Sequence, residues 1–478
     1  MDYIYDLVIV GGGPSGLALS QMCSKLNKKI LVIEKENSIG GCHRVRRINV
    51  NNEMLFSEHG PRVYSETYIV FQTLLKEMNV DFYDLFTRYK FGITQIGGET
   101  IFSILSISEL FILTYAFMCL IINENYGNDI ILYDYIKNFK ESSKEIIDRV
   151  CKLTDGGGSD KFTLNEFLQL FNQQFFYNLY QPKYPNDIGL FKIWIDYLQK
   201  KNVEFLLNCD INSVNITNNK IDFINISVNN TTRTIYGKTF VLAMPPEQLL
   251  NVITEFKIPH SLGDLKQFTL DTRYIDYISI TFHWDKKLNL KKVYGFPKSK
   301  WGVAFTILSD YMNFDQSTSK IMISSAITLT DKKSNNNNKT ANECNKVELI
   351  NEVFNQLKES FGDIPYPTLS IISPGVYYSE KDKKWISKDT AFINSAKQNY
   401  IPFECGIIEN LYNLGTHNGK SLYKFTSLES AVSNAIYLSN KLYPELNNLA
   451  IIKKSTSVTS ILNIIILIVI IFLIYSQV

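Results

Sequence analysis

Three glycines and one acid near the N-terminus have the types and spacing to hold a dinucleotide. Gly11, Gly13 and Gly16 form G-x-G-x-x-G within "DLVIVGGGPSGLALS", directly after an apolar run and opening a helical pattern. In such a turn the first glycine permits the tight bend and the second lets a pyrophosphate approach the backbone. The third lets helix pack on strand. The helix opened by Pro14 and Ser15 would turn its N-terminal NH groups and dipole toward the diphosphate. Glu34, followed by Lys35, stands about twenty residues further on, where an acid accepts from a ribose hydroxyl. An acid there, not an arginine, fits an unphosphorylated adenosine ribose and leaves NAD and FAD both open.

A second glycine pair narrows the choice. Gly40 and Gly41, in "EKENSIGGCHRV", would let a loop fold back over the diphosphate, with Arg44, Arg46 and Arg47 near to neutralise it. In "LFSEHGPRVYS", Gly60-Pro61 would bring backbone close to a flat ring, between His59 and Arg62. The far end adds "NLYNLGTHNGKSLYKFTSLESAVSNAIYLSNKL". It reads as a strand, a turn at Gly415-Thr416-His417, and a helix opening over Thr426–Glu429. With Ser427 and Leu428 at its N-terminus, that helix would stabilise the anionic N1–C2=O edge of a reduced flavin.

Certain elements must position these residues. "LVIV", "SGLALSQMCSKL" and "KILVIE" read as strand, helix, strand, a βαβ unit with a right-handed crossover. "NVEFLLNCDINSVNI", "KIDFINISV" and "YGKTFVLAMPP" read as three more strands, and "YISITFHW" and "KIMISSAITL" as strands of a different region. "KKSNNNNKTANECNK" is a polar low-complexity loop that cannot build a core. Phe282–Trp284 and Trp301 fit a substrate pocket and an ordinary core equally well. "TDGGGSDKFTLNEF" resembles a calcium loop only superficially, since Gly157 stands where a ligand should. A capping box from Thr163 to Glu166 is expected there instead.

The bulk properties exclude several classes. The chain has 478 residues, 45% hydrophobic and 20% charged, enough for two or three domains. A formal net charge of +2 offers no excess of positive charge for nucleic acid. Seven cysteines without a C-x-x-C pair read as reduced cytosolic thiols, with no metal site and no dithiol flavoenzyme. "MDYIYDLVIV" has no signal-peptide character. Val458–Val478 is uncharged and nearly all aliphatic, about the length of a bilayer core. It reads as a tail anchor, with Lys453 and Lys454 leaving the body cytosolic. A second apolar run, Ile101–Ile122, contains Glu109 and reads as a buried or membrane-grazing helix.

In this combination the chain resembles the flavin amine oxidase superfamily, which includes monoamine oxidases, protoporphyrinogen oxidase, phytoene desaturases and, more distantly, UDP-galactopyranose mutase. Four blocks match in order over about a third of the chain: "VIVGGGPSGLALS…LVIEKENSIGGCHRV", "EHGPRVYS", "NVEFLLNCDINSVNI…YGKTFVLAMPP" and "NLYNLGTHNG…FTSLESAVSNA". The resemblance implies FAD, with a backbone bond from Ile211 to the adenine and "VLAMPP" closing a strand over the cofactor. Two departures stand out. The family has Arg after the glycine pair where this chain has Cys42, with Arg44 as stand-in. It has Asp or Glu after the last glycine where this chain has Thr416, which keeps a hydrogen bond and loses a charge.

The expected fold is α/β: a Rossmann-like, doubly wound FAD domain (1–90, 195–255 and 400–445) and an α+β substrate domain with an antiparallel sheet (91–194 and 256–399). A linker (446–457) and a C-terminal transmembrane helix (458–476) follow. The expected activity is hydride removal from a small or lipophilic substrate onto flavin N5, with O2 as acceptor. His59, Arg62 and His417 are the catalytic candidates. The alternative is a non-catalytic binding protein of the GDP dissociation inhibitor and Rab escort kind on the same fold.

Overall fold

The computed structural model describes the chain apart from residues 1–3, 59, 61, 90–94, 97–98, 156–157, 230, 276, 291–298, 315–318, 390, 394–399, 422–425, 450–453 and 477–478. Strand β1 (Ile4–Val10), helix α1 (Pro14–Ser24) and strand β2 (Ile30–Ile33) make the βαβ unit, with β1 and β2 parallel. Leu7, Ile9 and Val32 point to one apolar cluster, Val8, Leu31 and Ile33 to another. Burial on both faces is what a parallel layer requires.

The sheet is completed from distant sequence. Strands β3 (Glu204–Leu206), β4 (Cys209–Thr217), β5 (Lys220–Val228) and β6 (Thr231–Leu242) give the order β3-β2-β1-β6-β5-β4. Residues 202–216, expected as one strand, are thus two. Asn208 takes a left-handed φ of 54°, a conformation asparagine tolerates. The break lets β3 pair parallel to β2 while β4 turns antiparallel to β5.

A second sheet is antiparallel, formed by β7 (Ile278–Trp284), β8 (Ala304–Ile307), β9 (Ile321–Ile327) and β10 (Leu369–Ile372) in the order β8-β9-β7-β10. Ile278, Ile280, Phe282 and Trp284 alternate inward with Trp301 into an apolar core. The tryptophans are therefore core: Trp284 Nε1 donates to Pro365 O at 2.9 Å and Trp301 Nε1 to Lys339 O at 3.3 Å. The asparagine-rich loop is not free of the core either, since Ala341 and Cys344 are buried in the same cluster. The chain returns to the first sheet as β11 (Leu411–Asn413), parallel to β6.

Helices complete the layers: α2 (Ile69–Glu77), α3 (Ile107–Ile122), α4 (Leu164–Gln174), α5 (Leu428–Leu442) and α6 (Val458–Tyr475). The expected capping box opens α4, where Thr163 Oγ1 accepts from Glu166 N at 3.1 Å and Glu166 accepts from Thr163 N at 2.8 Å. The 101–122 run breaks at Ser106, which caps α3. That explains its single charge. Glu109 is buried and accepts from Ser106 N, Lys140 N and the Ser143 hydroxyl at 2.6–2.9 Å. Replacing it, Glu109→Ala, strands two backbone donors and should destabilise the chain by on the order of 2–3 kcal/mol. Thermal unfolding of the purified variant checks this.

Candidate functional site

Gly11 has φ +122°, and a Cβ on it would lie 2.1 Å from Ala243 O. Gly11 N donates to Ile33 O at 2.8 Å and Ala243 N to Val10 O at 2.8 Å. The turn is thus locked between the ends of β2 and β6. A Cβ on Gly16 would lie 2.1 Å from Gly11 O, so this glycine packs the helix on its own turn. Gly13 differs. Its φ is −80°, and a Cβ there would meet nothing nearer than Gly41 Cα at 3.7 Å.

The second glycine pair supplies the opposite wall. Gly40 (φ +132°) donates its N–H to Gly12 O at 3.0 Å, and Gly41 (φ +56°) lies against Gly13. Gly13 and Gly41 both line a cavity of about 1260 Å³. Ser427 caps α5, its hydroxyl accepting from Ser430 N at 3.0 Å, and Thr426, Ser427 and Leu428 line the same cavity. Two helix N-termini, those of α1 and α5, therefore open on one space. Their first-turn NH groups and dipoles favour anionic groups of a ligand there.

Fixed carboxylates surround this space. Glu34 Oε2 accepts from Gly12 N at 2.9 Å and Oε1 from Glu36 N at 3.0 Å, with Arg44 Nη2 at 3.2 Å. Arg44 also donates to Asp389 at 2.9 Å and to Ser38 O at 2.9 Å. Arg46 bonds Asp389 at 2.8 Å and Glu36 at 3.1 Å, and Arg47 bonds Asp187. Of the three arginines expected to neutralise a diphosphate, Arg44 lines the cavity, and all three are held by carboxylates. The helix termini and backbone NH groups of the cradle add positive potential at the same wall.

Most of the residues singled out by sequence meet at this cavity. Gly11, Gly13, Pro14, Ser15, Glu34, Lys35, Gly41, Arg44, Gly60, Arg62, Ile211, Gly415, Thr416, Ser427 and Leu428 line it, together with Ala304, Ala326 and Thr328 of the second sheet's region. Gly16 and Gly40 stand behind the wall as packing elements. His59 and Pro61 lie outside the described residues. His417 is not a lining residue. It is wholly buried, with Nε2 3.0 Å from Asn413 Oδ1, and its ring fills the space a Cβ on Gly415 would need. Burial pushes its pKa down to about 3, so the ring is neutral and serves the turn.

Three buried acids matter that the sequence reading left unassigned. Asp389 joins Arg44 and Arg46 across more than 340 residues of sequence. Glu429, in the first turn of α5, accepts from Val70 N and Phe71 N at 2.9 and 3.0 Å and so caps α2. Glu58, the last residue of the strand Glu53–Glu58 and two residues before Gly60, is buried, and burial pushes its pKa up to about 7 against the opposing charge of Arg62. An acid ending the apolar strand "EMLFSE" was the available signal for Glu58.

The combination fits a dinucleotide: a glycine cradle able to hold a diphosphate, an acid at the ribose position, and a second helix N-terminus within the same cavity. Known proteins agree at the level of fold. A sequence model of the NAD(P)-binding Rossmann-like domain family matches residues 9–78. Over 79 residues the chain is 33% identical to UDP-galactopyranose mutase of Mycoplasma genitalium, covering 16% of this chain and 19% of that protein's length. A solved oxidoreductase from Methanosarcina mazei superposes with a TM-score of 0.62 at 14% identity, over 91% of this chain and 99% of its own. Putrescine oxidase bound to putrescine gives 0.60 at 12% identity, over 92% and 99%.

The glycines separate two outcomes. Gly11→Ala combines a left-handed φ with a clash on backbone and should cost several kcal/mol, on the order of 3 or more. Gly13→Ala meets neither obstacle and should leave the urea midpoint nearly unchanged. Glu58 predicts a pH effect. Its folded pKa of about 7 lies above the ordinary 4.5. The folded state therefore holds the proton longer, and stability is lost as pH rises between these values, by at most on the order of 3 kcal/mol. Urea unfolding of Glu58→Gln should lack that slope.

Proposed function

We propose that this chain, which has the fold of the flavin amine oxidase-like superfamily, is an FAD-dependent oxidoreductase. The observation that carries the reading is the convergence of the α1 and α5 N-termini and the Gly13–Gly41 cradle on one cavity. In this reading Gly13, Gly41 and the N-terminus of α1 hold the diphosphate, and Glu34 holds the ribose. The backbone at Ile211 meets the adenine. Gly415, Thr416, Ser427 and Leu428 hold the opposite end, with Gly60 and Arg62 beside the ring. When bound, FAD supplies a two-electron acceptor for a hydride leaving a substrate carbon.

The chain's own contribution is to bind, orient and keep water out. Val63, Val303, Ala304, Ala326 and Leu329 give the cavity an apolar wall, suited to a small or lipophilic molecule with O2 as final electron acceptor. Arg62 is fixed by donation to Cys42 O and keeps a positive charge at the wall, with Glu58 buried behind it. The three separated segments that build the first sheet would form the FAD domain, and the segments between them the substrate domain. Helix α6, with mean hydropathy 2.9 and no buried residue, is read as a single-pass anchor leaving the body cytosolic. Lys453 of its expected basic flank lies outside the described residues.

The test is the visible absorbance of the full chain purified in detergent. The expected result is a flavin spectrum at one FAD per chain, released on denaturation. Gly13→Val, whose backbone remains ordinary, should yield a folded protein with at least about a tenfold loss of bound flavin, as about 1.4 kcal/mol of obstruction requires. A colourless parent that takes up no added FAD overturns the reading and favours a non-catalytic binding protein on this fold.

A further inference from the structure

We propose that helix α3 and the neighbouring Phe175–Phe176 step are sunk in the hydrocarbon of the leaflet that α6 enters, so that the body is embedded and not tethered on a stalk. This rests on the reading of α6 as a membrane span.

The outer stripe of α3 carries Ile107, Phe111, Ile112, Tyr115, Met118 and Ile122, exposed by 42–91%. Its inner stripe, Glu109, Ala116 and Leu120, is buried. Glu109 is the one charged residue between Ser106 and Asn123, and it points inward. A helix apolar on both faces has no side suited to water. Phe175 and Phe176, at the end of α4, are 72% and 47% exposed.

Helix α6 grows directly out of this surface. It packs against α3 and α4. Thr459 N donates to Asn172 Oδ1 at 2.9 Å, Asn172 Nδ2 to Thr459 Oγ1 at 3.1 Å, and Thr456 N to the Tyr177 hydroxyl at 2.9 Å. The base of the tail is therefore fixed to the body and not separated from it by a loose linker.

Length then decides the depth. From Ile464 to Tyr475 the helix stands clear of the body, each large apolar side chain 46–81% exposed. Those twelve residues (475 − 464 + 1) reach roughly 18 Å at about 1.5 Å each. A hydrocarbon core is about 30 Å thick. Of the missing distance, roughly 12 Å, the six residues of α6 before Ile464 supply about 9 Å, and these turns lie against α3 and α4. Whatever flanks those turns shares their depth. The polar level is marked beyond the end of α3, where Lys454 Nζ lies 3.7 Å from Glu124.

The full chain in phosphatidylcholine vesicles with brominated acyl chains tests this through two single substitutions, Phe111→Trp on α3 and Phe472→Trp on α6. The four native tryptophans, Trp194, Trp284, Trp301 and Trp385, are buried and give the background. The expected result is loss of the added emission at both positions, relative to unbrominated vesicles. Quenching at Phe472→Trp alone overturns the proposal and means that water or a second copy of the chain covers α3. Quenching at neither shows that the anchor reading itself has failed, and the proposal with it.

Discussion

The contact of Gly11 with the carbonyl of Ala243 sets the geometry of everything around it. There is no room for a Cβ between the two, and the positive φ at Gly11 turns the chain from β1 into α1 at the edge of the sheet. Because β1 and β6 are parallel and in register up to Val10 and Leu242, their ends open on the same side. Helix α1 starts there, and so does the turn after β11, which pairs with β6. Ser15 then donates to Ala431 O at 3.3 Å, tying the start of α1 to the first turns of α5. Two helix dipoles meet at one cavity because three parallel strands end together.

The charged residues serve that arrangement in a different way from the one their positions suggest. Arg44 and Arg46 converge on Asp389, which is only 2% exposed at its side chain, and reach back to Glu34 and Glu36. Ions this deeply buried gain little net stability from attraction, because desolvation offsets it. Their effect is positional. They fix the loop carrying Gly40 and Gly41 to a segment far away in sequence, and so hold the second glycine wall against the first. Glu429 works likewise, by ending α2 on the first turn of α5.

The parts of this molecule legible in sequence are those where a local backbone need selects a residue. The glycine turn, the Thr163–Glu166 box, the helix opening at Ser427 and the apolar tail all declare themselves within a few residues. What stayed hidden depends on partners hundreds of residues away. Nothing near Asp389 indicates two arginines from the N-terminal segment, and nothing near Arg46 or Arg47 indicates that acids already hold them. Asn208 was missed because a single left-handed residue interrupts an otherwise continuous strand pattern. The surface of α3 was readable in composition but not in direction, since periodicity cannot separate two apolar faces.

The replacement at Thr416 follows from the same electrostatic logic. An acid at this position would place a carboxylate on the cavity wall where Glu429 is already buried in the first turn of α5. Burial pushes the Glu429 pKa up to about 8, against the Val70 and Phe71 NH groups that favour its ionised form. Thr416 keeps a hydroxyl at the wall without adding a carboxylate. His417, held neutral behind it, adds no positive charge in return. The N-terminus of α5 adds to the Arg62 guanidinium on the wall of the same cavity a partial positive charge that is fixed in the backbone and independent of pH.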